Sequence, residues 1–427
     1  MRVTSLRATV ARQLRRTGGR LTAGTAVIVV VLLAGGAAGA FGAVHRASLY
    51  TDAAGPLGRA AAAALTIHQS VADADAASLN AVLVGVDVDG AAGQRDANER
   101  GPAVVLMDTF RQDVTAASQA LQAVSATSAD PAAVAAISEL TRALPYYAAL
   151  VENGWSLTSR GFPLGTSYLT EASNLAKRLL ASAETLRDQT FAALESALRE
   201  ANATPWLALA TVALALVLLV WLQGRVTRTF RRKVNYGLAA ATLLALGAGG
   251  WLVTATTLGA SRGGDSLDVV EGQVRPVAAA RVEARKADAF EARIVLYPTS
   301  DDFAQLRRSW DEADRLLGEA RTDTGAARAT VERWRDDPDN VLAPESRRDY
   351  RPAVHAITTL PATGPPYDAL VEDGLRATAD RLWRSAGTST ASARDAVSGV
   401  GYSVGVLLLL AAGAAVVGIR PRVGEYR

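Results

Sequence analysis

The chain reads as an all-α membrane protein with four transmembrane helices and two tandem extracytoplasmic four-helix-bundle domains, the product of an internal duplication. Three observations predict this. Four apolar runs, Leu21–Val44, Pro205–Gln223, Tyr236–Leu258 and Tyr402–Ile419, contain no Asp, Glu, Lys, Arg or His. A membrane helix needs about 20 predominantly apolar residues, and each run approaches or exceeds that length. Cations collect at one side of the runs only. A ten-residue element in the first long polar segment then returns in the second.

The charge distribution orients the chain. Residues 1–20 carry Arg2, Arg7, Arg12, Arg15, Arg16 and Arg20 and no acid. The link 224–235 carries Arg225, Arg228, Arg231, Arg232 and Lys233 and no acid, and the tail 420–427 adds Arg420, Arg422 and Arg427. These three pieces hold 14 of the 45 cations and one of the 42 acids, Glu425. Short loops rich in Lys and Arg stay on the cytoplasmic side, so both termini and the link are expected inside. A net charge of +3 partitioned in this way describes an oriented membrane protein in contact with lipid, and nucleic acid is not an expected partner.

The elements follow in order. Residues 1–20 form a basic cytoplasmic N-terminus and 21–44 the first span. Ala38-Gly39-Ala40 imitates a signal-peptide cleavage site, but the apolar run far exceeds the ~7–15 residues of a signal h-region, so an uncleaved anchor is expected. Residues 45–204 form the first bundle. Gly55-Pro56, Gly101-Pro102, Asp130-Pro131 and Phe162-Pro163 punctuate it into four helices. In the last, Leu169, Ala172, Ala176, Leu179, Ala183, Leu186, Thr190, Ala193 and Ala197 recur as a heptad seam. Glu184, Arg187, Asp188, Glu195 and Arg199 fall on the solvated face. This helix is expected to run nearly unbroken into the second span, 205–223. The basic link 224–235 and the third span, 236–258, follow. Residues 259–401 form the second bundle, 402–419 the fourth span and 420–427 the cytoplasmic tail.

The repeat sets Pro145-Tyr146-Tyr147-Ala148-Ala149-Leu150-Val151-Glu152-Asn153-Gly154 beside Pro365-Pro366-Tyr367-Asp368-Ala369-Leu370-Val371-Glu372-Asp373-Gly374. A second echo pairs Ala74-Asp75-Ala76…Val82-Leu83 with Ala287-Asp288-Ala289…Val295-Leu296. Two echoes in the same order point to a duplicated unit.

Chemistry finds little purchase. Cysteine is absent, which removes disulfides, thiolate metal sites and cysteine catalysis. The three histidines, His45, His68 and His355, are far apart in sequence. His68 and Asp75, seven residues apart, share a helix face and are either ligand contacts or ordinary polar residues of the bundle surface. No zinc, nucleophile-elbow or phosphate-loop motif is present, so neither enzyme activity nor a cofactor is expected. Charge-free spans argue against a transporter. Gly35, Gly39, Gly247, Gly249 and Gly250 suggest close packing between spans. Candidate contacts for a ligand or partner are Tyr147 and Glu152, their counterparts Tyr367 and Glu372, and Phe162 and Tyr168 around the loop Arg160–Tyr168. Arg225, Arg228, Arg231, Arg232 and Lys233 set orientation first and offer an acidic cytoplasmic partner a docking site second.

Leu144–Glu152, Arg160–Asn174 and the hairpin around Arg225–Thr242 resemble an actinobacterial four-pass membrane protein family, encoded beside a glutamine-type solute-binding lipoprotein and serine/threonine protein kinase G. The resemblance implies a sensor without catalysis of its own. It would receive the amino-acid-loaded lipoprotein outside and pass the state to the kinase inside. The competing reading is a scaffold or accessory subunit of an export or cell-envelope complex.

Overall fold

The computed structural model describes residues 17–85, 101–126, 130–230, 235–297, 299–337, 340–342 and 367–424. The described residues form helices and no strand. In chain order these are α1 (Thr17–Asp52), α2 (Gly58–Gly85), α3 (Pro102–Ser125), α4 (Pro131–Thr158), α5 (Leu164–Asn202), α6 (Trp206–Phe230) and α7 (Tyr236–Val269). Then come α8 (Arg275–Leu296), α9 (Ser300–Glu319), α10 (Gly325–Arg335), α11 (Tyr367–Val397) and α12 (Val400–Gly424). Four helical stretches are long and apolar enough to cross a membrane.

The chain divides into two compact units. One comprises residues 1–51, 197–265 and 389–427 and holds the apolar helices. Within it Val30, Phe41, Val217, Leu243 and Val417 point outward, where a bilayer replaces water as solvent. Ile28, Leu32, Leu219, Ala245 and Leu408 are buried between helices. Backbones meet at Gly237 and Gly418, where a Cβ on Gly237 would sit 2.3 Å from the Gly418 Cα. Of the five glycines read as packing points, Gly35, Gly39 and Gly249 meet neighbouring side chains, while Gly247 and Gly250 face open space. Periodicity alone does not tell a lipid-facing glycine from a buried one.

The second unit comprises residues 52–196 and 266–388. Both long polar segments thus share one compact body. Proline starts α3 and α4, where its missing N–H is harmless, and Asp130 caps α4 by accepting from Ala132 N and Ala133 N at 3.0 Å. Gly55-Pro56, expected to break the chain, instead lies in a π turn, Ala53–Leu57, inside a helix continuous from Ala23 to Gly85. The wide turn absorbs the proline, and Gly58 permits it, since a Cβ there would lie 2.6 Å from the Ala53 carbonyl oxygen. A second π turn, Val270–Val274, lies within Tyr236–Leu296.

The join between α5 and α6 corrects the expectation of a nearly unbroken helix. The helix stops at Asn202 and resumes at Trp206. Pro205 disfavours helical geometry at Thr204, and the freed Ala203 carbonyl accepts from Arg46 Nη2 instead. The α5 seam is buried from Leu169 to Thr190 and again at Ala197; Ala193 is exposed, with Leu194 buried beside it. Arg187 and Glu195, read as solvated, are buried because α5 is covered on two faces.

Helices α2 and α8 pack side by side at the centre of the second unit. A shift of 213 positions superposes their buried patterns. Ala64, Ile67, Val71 and Ala74 enter one core, while Val277, Ala280, Ala284 and Ala287 enter another. Between them Ala76, Leu79 and Leu83 meet Ala289, Ala292 and Leu296. Polar pairs cross in the same register. Arg293 donates to Asp75 at 3.1 Å, and Asn80 donates to Asp288 at 3.0 Å.

Candidate functional site

A cleft of about 700 Å³ opens along the α2–α8 contact, walled further by α5 and α9. His68 and Asp75, seven residues apart on α2, both line it. This is the shared face that their spacing predicts.

His68 is 3% exposed. Its Nδ1 lies 3.1 Å from Arg187 Nη1, and a guanidinium can only donate, so Nδ1 accepts. The proton of the neutral ring therefore resides on Nε2. Burial, then the Arg187 and Lys286 charges, hold the imidazole pKa down at about 3. The ring stays neutral, and its Nε2–H has no acceptor among the described residues.

Asp75 lies deeper. Burial raises its pKa, opposed by the charges of Arg293 and Lys177. Arg293 rides over the Phe290 ring at 5.0 Å and reaches toward Asp302, whose carboxylate closes the capping box of α9. Lys286 pairs with Glu283 at 2.6 Å, and Glu184 lies 3.4 Å from Arg187. Leu180, Ala181 and Ala289 supply apolar wall. A neighbouring cleft of about 380 Å³ shares His68, Glu184, Glu283 and Glu312. Among the described residues no group of His, Asp and Glu is arranged to hold a metal ion.

The residues singled out in the sequence lie elsewhere. Tyr147, expected to face a partner, is fully buried and meets Phe110 edge-on at 5.8 Å. Its hydroxyl sits beside Asp75 and Ser78, and burial raises its pKa. It supports the cleft floor from behind and is not available to a soluble partner. Glu152 is at the surface, accepting from Arg111 Nε at 2.7 Å and Nη2 at 3.0 Å. Phe162 is 55% exposed in the turn that joins α4 to α5, where Gly161 takes φ 77°. Tyr168 is half-buried against the core. Arg225 stacks over Trp221 at 5.5 Å, and Arg228 is exposed in the last turn of α6. The side chains of Tyr367, Glu372, Arg231, Arg232 and Lys233 lie outside the described residues.

Lys177, Arg187, Lys286 and Arg293 were not anticipated as site residues. The only signal was the second echo. Carried over in register, Asp75 marks Asp288 and so helix α8, although Asp288 itself lies off the face that Lys286 and Arg293 turn to the cleft.

The described residues thus form an all-α protein with four helical stretches able to cross a membrane and a helical unit that carries the cleft. The family model of the actinobacterial sensor domain matches residues 50–199, the stretch that contains α2 to α5. No curated protein and no solved structure matches the chain. The match gives the chain a sensor role.

Proposed function

We propose that the protein is a non-enzymatic transmembrane sensor and adaptor. It receives an extracytoplasmic amino-acid-binding protein, or that protein's ligand, and relays the state to a cytoplasmic protein kinase. The observation that carries this reading is the sensor-family match over 50–199, a stretch whose first helix continues a membrane span without a break from Ala23 to Gly85. A rigid helix shared by a span and a receptor domain transmits a shift of ~1–2 Å, because packed interfaces hold discrete arrangements. With Tyr147 buried, exposed Glu152 and Phe162 are the part of the first segment that we assign to the partner.

The test is photocrosslinking in native membranes from a reactive amino acid placed at Phe162 and, separately, at Arg228. The first position should capture a solute-binding lipoprotein and the second a serine/threonine kinase. Neither position capturing its partner across nutrient-rich and starved cells sinks the adaptor reading. Capture of envelope or export components at both would replace it with the scaffold.

A further inference from the structure

The donors and acceptors of the α2–α8 cleft do not balance. Each of its five acids already faces a cation of the protein: Asp75 with Arg293, Glu184 with Arg187, Glu283 with Lys286, Asp311 with Arg335 and Glu312 with Arg315. Donors are left over. The Arg293 Nε is buried and has no acceptor among the described residues. The His68 Nε2–H, on a ring 3% exposed, makes no hydrogen bond among them, Arg187 being held at Nδ1. Lys177 makes no hydrogen bond or ion pair among the described residues. A buried donor without an acceptor costs about 1–3 kcal/mol, so such a site favours an incoming acceptor.

The register of α2 and α8 shows what that acceptor resembles. A shift of 213 positions carries His68 onto Arg281, Ala72 onto Arg285 and Asp73 onto Lys286. Where Asp73, Arg281 and Arg285 meet, the chain supplies its own carboxylate: Asp73 accepts from Arg281 Nη2 at 2.7 Å and from Arg285 Nε at 3.0 Å. In the matched place within the cleft stand His68 and Lys286: the His68 Nε2–H makes no hydrogen bond among the described residues, and the Lys286 ammonium keeps donors beyond its contact to Glu283. Ala72, packed in the core, supplies no donor where Arg285 does.

We propose that the cleft binds a small carboxylate, its oxygens accepting from the His68 Nε2–H and the Lys286 ammonium. The neutral ring and the ammonium together give one directional donor and one charge. Leu180 and Phe290 flank the remainder of the molecule. The proposal rests on the sensor reading and deepens it by giving the sensed molecule a chemical class.

The experiment is calorimetric titration of the full chain in lipid nanodiscs at neutral pH. The probes are succinate and L-glutamate, with glutaramide and inorganic phosphate as comparators. At least one carboxylate should bind, and which one does tells a plain dicarboxylate from an amino acid. Lys286→Met should weaken binding at least ~10-fold, as loss of a charge-assisted hydrogen bond does, while Asp73→Asn should leave it within about twofold. If Lys286→Met does not fold, exposed Lys177→Met serves as the second variant and should also weaken binding. Failure of both carboxylates to bind, equal binding of glutaramide or phosphate, or indifference to the lysine variants would overturn the proposal. No partner takes part in the titration. A negative result therefore removes the cleft's ligand without touching the sensor reading, and loss of crosslinked partners with binding intact does the reverse.

Discussion

His68 shows how one residue ties stability to pH. Its folded pKa of about 3 lies below the ordinary 6.5. Between those values the unfolded chain takes up a proton that the folded chain refuses. Stability therefore falls as pH falls through this window, by about 2 kcal/mol at pH 5 relative to neutral pH. Arg187 and Glu184 from α5, Lys286 and Glu283 from α8, and Glu312 from α9 surround the ring or its cleft. Asp113 works in the opposite sense: burial and Asp73 push its pKa up to about 7, so it loses stability as pH rises toward neutrality. Because that contribution is common to both proteins, the difference between wild type and His68→Asn isolates the imidazole. Thermal unfolding should show a smaller loss for the variant between pH 7 and pH 5. Equal losses would remove His68 from the acid response. At this scale the sequence was half legible. The seven-residue spacing of His68 and Asp75 placed both on one face, because helical geometry is local. Tyr147 was misplaced because an aromatic with a polar tip fits a surface or a core equally well, and only tertiary packing against Phe110 decides.

Helices were the most readable level, since proline and glycine act locally and α3, α4 and α5 start within a residue or two of the expected breaks. Two joins were misread for a common reason. Gly55-Pro56 sits in a π turn that keeps the helix whole, while Pro205, judged tolerable, coincides with a real break at 203–205. The outcome depends on whether a neighbour or a widened turn satisfies the freed carbonyl, which the proline itself does not reveal. The mechanical consequence reverses the expectation for α5. A Gly-Gly-Ser insertion between Ala203 and Thr204 falls where the helix is already interrupted, so coupling between ligand state and inner partner should persist. The same insertion between Gly24 and Thr25, or within Ala53–Leu57, interrupts a continuous helix and should abolish coupling while leaving membrane insertion intact. Crosslinking yield of the inner partner, measured with and without ligand, distinguishes the two. Loss of coupling at 203 with retention at 53–57 would restore α5 as the relay.

For the whole molecule, four spans and an all-α architecture were readable because charge-free runs of this length have few other uses. The merging of both polar segments into one compact unit was not readable. It depends on Asp75–Arg293 and Asn80–Asp288, pairs separated by 218 and 208 positions, and nothing local announces them. The cation asymmetry predicts that Thr115→Cys and Ala329→Cys, both exposed, react with an impermeant thiol reagent on intact cells. Thr227→Cys should react only after permeabilisation. Labelling of position 227 on intact cells would invert the orientation.

The crossed contacts of α2 and α8 have the form of an association between two identical partners, in which residue i meets j and j meets i. In such a pair every substitution appears twice, so an ion cluster that fills one flank must fill the other. A single chain that carries two helices in this crossed register is free of that constraint. Arg281 and Arg285 can then close one flank around Asp73, while His68 and Lys286 line an open cleft on the other, where a true dimer would have two clefts or none.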